Sequence, residues 1–420
     1  MAKFFIDGGA RLSGEVNVSG AKNSALPIIA ASLLTKKQVV LENIPDVHDV
    51  RTMIQLAEYL GARVEFKRNV LRIHTPRLRR VAAPYDIVTR MRASYYMLGT
   101  LIARNKKAVV AMPGGCAIGP RPVDLHIRGL AALGTRIEIK DGYIHAHAQS
   151  IAGNKIDLQG PKGTSVGATI NVMLAACGAS GTAVISPAAV EPEVVDVANF
   201  LNALGVEISG QGSHEIKVRG CSGLDQGVRY RIIPDRIEAG TFAVAAAITG
   251  GDLLLKGAAP EHMTGVIEKL IEIGVRVKLN GRGISVNGHG KKNAVNICVA
   301  PYPGFPTDMQ AQFMALLATV PGTSTIRESI FENRFMQAIE LMRMGADITI
   351  EGDTAVIDGV RELSGAQVMA SDLRASSALV LAGLAASGTT IVRRVYHLDR
   401  GYERFAFKLR RLGARIRRGR

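Results

Sequence analysis

Apolar positions along the chain follow two rhythms that alternate. Val50, Ile54, Ala57 and Leu60 recur at helical spacing and predict one buried helix face. Gly61 follows at the place of a left-handed C-cap, and Ala62-Arg63-Val64-Glu65 then alternates as a half-buried strand does. The same sequence of events returns at Leu133-Gly134, Leu204-Gly205, Ile273-Gly274, Met344-Gly345 and Leu412-Gly413, each followed by an alternating run. These glycines recur about every 70 residues, the signature of an internal repeat. In the last copy Tyr402, Phe405, Leu409 and Leu412 make the helical face.

Upstream, each copy carries a short strand such as Val39-Val40-Leu41-Glu42-Asn43 and, before it, an Ala-rich helix with almost no polar side. Residues 25–34, 241–248 and 377–386 are examples, and a helix apolar all round must be buried. A further strand opens each copy, for instance Glu15-Val16-Asn17-Val18 or Arg229-Tyr230-Arg231-Ile232-Ile233. The predicted class is α/β: six repeats of a βαβαββ-type unit. Such units can stack as a solenoid, but a buried helix in every copy fits a closed arrangement of three copies per domain better. A chain of 420 residues also exceeds one ordinary core and suggests two domains of about 200 residues, dividing near residue 233.

Composition narrows the function. The chain is 47% hydrophobic and 21% charged, with no low-complexity tract. No apolar run approaches the ~20 residues of a membrane span, and the first residues lack the apolar stretch of a signal peptide, so a cytoplasmic protein without membrane contact is expected. The four cysteines Cys116, Cys177, Cys221 and Cys298 are scattered without ligand spacing, which argues against a metal site. A net charge of +16 suits small anions; with no Trp, 5% aromatics and no recognition motif, nucleic acid is not the expected partner.

Polar residues gather where each opening strand meets its buried helix. They are Lys22-Asn23, Arg90 with Arg92, Lys162 with Ser165, Asp235-Arg236, Thr307-Asp308, and Asp372 with Arg374. One such site would be a helix cap. Six of them favour a shared cleft in which helix N-termini and cations receive phosphates or carboxylates. A second cluster, Pro113 to His126, is rich in Gly and Pro and reads as a loop carrying Cys116 five residues before Arg121. Cys116 is either an exposed, partly ionised thiol or a small apolar residue. Asp308 is either an N-cap or a group that takes a proton from a hydroxyl.

These segments closely resemble the enolpyruvyl transferase family, and within it the UDP-N-acetylglucosamine 1-carboxyvinyltransferases. The resemblance runs the length of the chain. It rests on Ser19-Gly20-Ala21-Lys22-Asn23, Met91-Arg92-Ala93-Ser94, Gly114-Gly115-Cys116, Arg121-Pro122-Val123-Asp124-Leu125-His126 and Glu191-Pro192-Glu193. It continues in Pro234-Asp235-Arg236-Ile237-Glu238, Phe305-Pro306-Thr307-Asp308-Met309-Gln310, Phe331-Glu332-Asn333-Arg334-Phe335, Asp372-Leu373-Arg374 and Asp399-Arg400-Gly401-Tyr402-Glu403. It implies a two-domain inside-out α/β barrel: residues 22–233 form one domain, residues 1–21 and 234–420 the other, and the active site lies in the cleft between them. The implied reaction transfers the enolpyruvyl group of phosphoenolpyruvate to the 3′-hydroxyl of UDP-N-acetylglucosamine with release of phosphate. That is the first committed step of peptidoglycan synthesis. No cofactor, metal or obligate protein partner is implied.

Carried over residue by residue, Cys116 is the proton donor and forms an adduct with phosphoenolpyruvate, and Asp308 receives or orients the 3′-hydroxyl. Lys22, Arg121, Arg334, Arg374 and Arg400 surround phosphoenolpyruvate, with Lys22 and Arg400 counted among the catalytic groups. Asn23, Arg92, Arg121, Pro122, Val123, Asp124, Leu125, Lys162, Ser165, Val166, Gly167, Asp308 and Ile330 hold the substrates, chiefly the UDP-sugar. The chain departs from the family pattern twice: two residues separate Lys162 from Ser165 where the pattern has one, and Tyr96 replaces a Trp of some members. The alternatives are a transferase resembling 5-enolpyruvylshikimate-3-phosphate synthase, which lacks the cysteine loop, and a non-catalytic nucleotide-sugar binder.

Overall fold

The computed structural model describes residues 2–112, 123–221 and 223–419. Cys116, Arg121 and Pro122 lie outside the described residues. Six largely buried helices organise the rest: α1 Lys22–Ala31, α2 Tyr96–Asn105, α3 Val166–Ala176, α4 Arg236–Thr249, α5 Gln310–Leu317 and α6 Leu373–Ala385. Two compact units share them. Residues 20–112 and 123–233 contain α1 to α3, and residues 2–19 and 234–419 contain α4 to α6. Each unit has its own continuous apolar core, with Ile28, Leu98 and Met173 in one and Phe242, Phe313 and Leu379 in the other. Fully burying one such side chain stabilises by about 1.5–3 kcal/mol, so these helices are the main source of cohesion.

Among the described residues the strands form six four-stranded sheets. In one of them Lys155–Asp157 pairs parallel with Thr182–Ser186, which then pairs antiparallel with Ile216–Arg219, itself antiparallel to Glu207–Ser209. The parallel step needs a long crossover, which α3 supplies; the antiparallel steps need only the outer helix Pro192–Ala203 and a hairpin. The Ala-rich helix and alternating strands of this copy thus become one βαβαββ unit on a single sheet.

Two opening strands pair outside their own copy. Ser13–Asn17 precedes α1 yet lies parallel to Asp252–Lys256 of the fourth copy, and Val228–Arg231 precedes α4 yet lies parallel to Gln38–Glu42 of the first. Lys3–Asp7 sits between Thr389–Arg393 and Arg415–Gly419, in the place that the second hairpin strand fills in other copies. The hydrophobic spacing identifies these strands but says nothing of their partners.

All six repeat glycines adopt positive φ, from 89° at Gly134 and Gly345 to 117° at Gly61. A side chain there would clash with the carbonyl, at about 1–2 kcal/mol per residue. Element edges differ from the sequence pattern in two places. α1 begins at Lys22 and passes into the 3-10 turn Ser32–Leu34, and the last outer helix is Phe405–Arg411, so Tyr402 stands in the turn before it. Among the described residues no helix is long and apolar enough to cross a membrane.

Candidate functional site

In the unit built on α4 to α6, a carboxylate is held by two cations. Asp308 lies in the 3-10 turn Thr307–Met309 that leads into α5. Its Oδ1 accepts from Arg334 Nη2 and its Oδ2 from Arg374 Nη2, both at 2.7 Å. The Arg side chains are 5% and 7% exposed and Asp308 28%, so both guanidiniums are desolvated while the carboxylate edge still meets solvent. Each buried ion costs several kcal/mol unless paired. Burial works against the charge on Arg374, but Asp308, together with Tyr402 and Asp235, outweighs it and raises the guanidinium above its usual pKa.

Local geometry explains this placement. Asp372 caps α6, accepting from the backbone N–H groups of Arg374 and Ala375, and so fixes the turn from which Arg374 projects. Glu328, 4% exposed, accepts from the N–H of Ile330 and Phe331 through Oε1 and from the Thr307 hydroxyl through Oε2. It ties the loop bearing Ile330 and Arg334 to the turn bearing Asp308. Arg400 ends the 3-10 segment Val395–Arg400, half-buried; burial and the nearby Arg400 charge lower His397 from its usual pKa.

In the other unit Lys22 is the first residue of α1, and its Nζ lies 3.2 Å from Asp49 Oδ2 in the first turn of helix His48–Leu60. Both side chains are mostly buried, at 12% and 6% exposure, whereas Asn23 is exposed. Arg92 opens the 3-10 turn Arg92–Tyr95 ahead of α2; burial pushes the Tyr95 phenol up to about 12 against the opposing Arg92 charge. Ser165 caps α3, its hydroxyl accepting from Ala168 N–H at 3.2 Å, with Val166 and Gly167 in the first turn. Lys162 is exposed.

The run from Val123 to His126 meets this α3 turn. Val123 and Leu125 are buried and Asp124 is exposed at the start of helix Asp124–Ala132. A Cβ added at Gly160 would lie 3.0 Å from Leu125 Cδ1, and one at Gly167 3.3 Å from the His126 ring. Asn171 of α3 accepts from Gly99 N–H through Oδ1 and reaches His126 Nδ1 with its amide nitrogen at 3.0 Å. That orientation makes Nδ1 the acceptor and places a ring proton on Nε2 of the neutral imidazole. Two segments separated in sequence therefore share one surface.

The expected site residues thus fall into two sets. Asp308, Ile330, Arg334, Arg374 and Arg400 belong to one unit; Lys22, Asn23, Arg92, Val123, Asp124, Leu125, Lys162, Ser165, Val166 and Gly167 belong to the other. Sequence reasoning overlooked Asp49 and Glu328. The only trace of Asp49 is an acid in the first turn of an amphipathic helix, and Glu328 stands two residues before Ile330 without a pattern of its own.

Comparison with known proteins is consistent over the chain's length. The model of the EPSP synthase (3-phosphoshikimate 1-carboxyvinyltransferase) family matches residues 6–409. A UDP-N-acetylglucosamine 1-carboxyvinyltransferase 2 of Carboxydothermus hydrogenoformans is 50% identical over 420 residues, covering 100% of this chain and 99% of that protein. A UDP-N-acetylglucosamine 1-carboxyvinyltransferase of Methylacidiphilum infernorum is 52% identical over 416 residues, 99% of this chain and 98% of its own. Among solved structures, the enolpyruvyl transferase NikO from Streptomyces tendae superposes with a TM-score of 0.89 at 27% identity, covering 99% of this chain and 98% of that one.

Proposed function

Because the chain belongs to the UDP-N-acetylglucosamine 1-carboxyvinyltransferases within the EPSP synthase family, we propose that it joins phosphoenolpyruvate to the 3′-hydroxyl of UDP-N-acetylglucosamine and releases phosphate. The observation that carries this reading is Asp308 set between Arg334 and Arg374, in a chain that is half identical to named relatives from end to end. A carboxylate with two cations behind it can receive a hydroxyl proton while the cations receive an anion.

The reaction is an addition followed by an elimination. The sugar oxygen bonds to C2 of phosphoenolpyruvate as C3 gains a proton; phosphate then leaves C2 as C3 loses a proton, restoring the double bond. Asp308 takes the proton of the attacking hydroxyl. Arg334, Arg374, Arg400 and Lys22 neutralise the phosphate and carboxylate of phosphoenolpyruvate and the charge that grows in the tetrahedral intermediate. Asp49 keeps the Lys22 ammonium in place. Ser165, Val166, Gly167 and the run Val123 to Leu125 hold the UDP-sugar, where the N-terminus of α3 suits a diphosphate. Arg92, Asn23, Lys162 and Ile330 complete the sugar-nucleotide contacts, with Arg121 and Pro122. Cys116 is the proton donor for C3 and the site of a covalent adduct. The reading extends to a cytoplasmic enzyme at the first committed step of peptidoglycan synthesis, in cell-wall biogenesis.

Mass spectrometry of a mixture of protein, phosphoenolpyruvate and UDP-N-acetylglucosamine tests the reading. It is expected to show the nucleotide sugar enlarged by one enolpyruvyl group; an unmodified sugar with folded protein would reject it. The epoxide fosfomycin is expected to inactivate the enzyme irreversibly and to lose that effect in Cys116→Ser. Inactivation that survives the substitution would place the target elsewhere.

A further inference from the structure

Arg374 has a second acceptor behind Asp308. Its Nη1 lies 3.2 Å from the hydroxyl of Tyr402, and its Cζ 5.5 Å from the centre of that ring. Tyr402 is 2% exposed, and its hydroxyl meets groups from all three buried helices of the unit. These are Thr241 of α4 at 2.9 Å, Gln312 of α5 at 3.3 Å, and Ser377 of α6 at 3.3 Å.

Proton bookkeeping sets the direction of these contacts. Thr241 donates its own proton to the Ile237 carbonyl and Ser377 donates its own to the Arg374 carbonyl, each at 2.8 Å. The Gln312 amide nitrogen also donates to the Asp308 carbonyl at 3.0 Å, which fixes the amide with its N–H groups toward the phenol. The phenol therefore has two receivers for its proton, Thr241 at the shorter distance and Ser377, and turns its lone pairs to Gln312 and Arg374. Among the described residues, Asp308 and Tyr402 are the side chains that accept from the Arg374 guanidinium.

We propose that the Tyr402 hydroxyl is a positioning group for the reaction: it holds the Arg374 guanidinium in place for the substrate anion when Asp308 is taken up by the sugar hydroxyl. This rests on the function proposed above. Once Asp308 accepts a proton it stops being a counterion, and a 7%-exposed guanidinium cannot turn to water. The phenol oxygen and ring face then fix its orientation. Gln312 links the same hub to the backbone of Asp308, so acid and cation are set from one point.

Tyr402→Phe keeps the packing and removes the acceptor. Steady-state phosphate release is measured with each substrate varied in turn. The KM for phosphoenolpyruvate is expected to rise about tenfold, equivalent to about 1.4 kcal/mol, with the KM for UDP-N-acetylglucosamine nearly unchanged. In an Arg374→Lys background the same substitution is expected to add less than about a twofold change, because the group it positions is gone. Thr241→Val, which removes the nearer receiver of the phenol proton and leaves Ser377, is expected to give a smaller rise in the same KM. An unchanged phosphoenolpyruvate KM in Tyr402→Phe and Thr241→Val, or independent multiplication of the Tyr402 and Arg374 effects, would overturn the proposal. If wild-type protein turns over no UDP-sugar, the proposed function fails instead. Calorimetric titration of phosphoenolpyruvate into the same variants then reads the Tyr402–Arg374 coupling by itself.

Discussion

Asp308 and Asp196 are both acidic, and their surroundings set them opposite tasks. Asp308 is stabilised as a carboxylate by Arg334 and Arg374 at 2.7 Å each. Asp308→Asn keeps the shape but cannot take a proton, so kcat is expected to fall by about 10²–10⁴. A loss below tenfold in that rate measurement would remove Asp308 from proton transfer. Asp196 is 2% exposed in helix Pro192–Ala203, where burial lifts its pKa to about 6 despite hydrogen bonds from the Tyr230 hydroxyl at 2.6 Å and the Ile233 N–H. A carboxyl raised in the fold binds its proton more tightly there than in the unfolded chain. Its contribution is therefore fully present below its unfolded pKa near 4 and is lost as pH rises through about 6. Urea unfolding of wild type against Asp196→Asn is expected to show a stability difference that changes by roughly 2 kcal/mol between pH 4 and 7. A difference curve flat in pH would contradict it.

At the scale of elements, three of the six buried helices are fixed by a side-chain cap at the first turn. Asp235 and Asp372 cap α4 and α6 with paired backbone contacts, and Ser165 caps α3. Asp372→Ala is expected to cost about 1 kcal/mol in denaturant unfolding and also to weaken phosphoenolpyruvate binding, because Arg374 projects from the turn that Asp372 holds. Equal stability with and without the cap would contradict this. The six junctions were legible as polar residues before apolar helices, and the six glycines as helix ends, since both signals lie within one element. Tyr402 shows the limit. Helical spacing marks it as one more apolar contact, and its ring is indeed buried, but its hydroxyl gathers residues from three copies of the repeat. Likewise the Asp308–Arg374 pair spans 66 residues, and nothing local in either segment names the other.

For the whole molecule, repetition revealed the α/β architecture, and topology supplied what repetition could not. Identical-looking opening strands divide: most pair within their copy, whereas Ser13–Asn17 and Val228–Arg231 pair with the fourth and first copies. A strand's alternation fixes which face is buried but is indifferent to which edge it joins. Lys3–Asp7 is the same case, a strand at one end of the sequence that completes the sheet of the last copy. Both sets of candidate residues belong to one proposed chemistry, and the most direct test is phosphate release from phosphoenolpyruvate with two acceptors in parallel. Release with UDP-N-acetylglucosamine and none with shikimate 3-phosphate is the predicted result. Release with shikimate 3-phosphate alone would keep the fold and the chemistry but contradict the substrate, and release with neither from folded protein would contradict the enzyme.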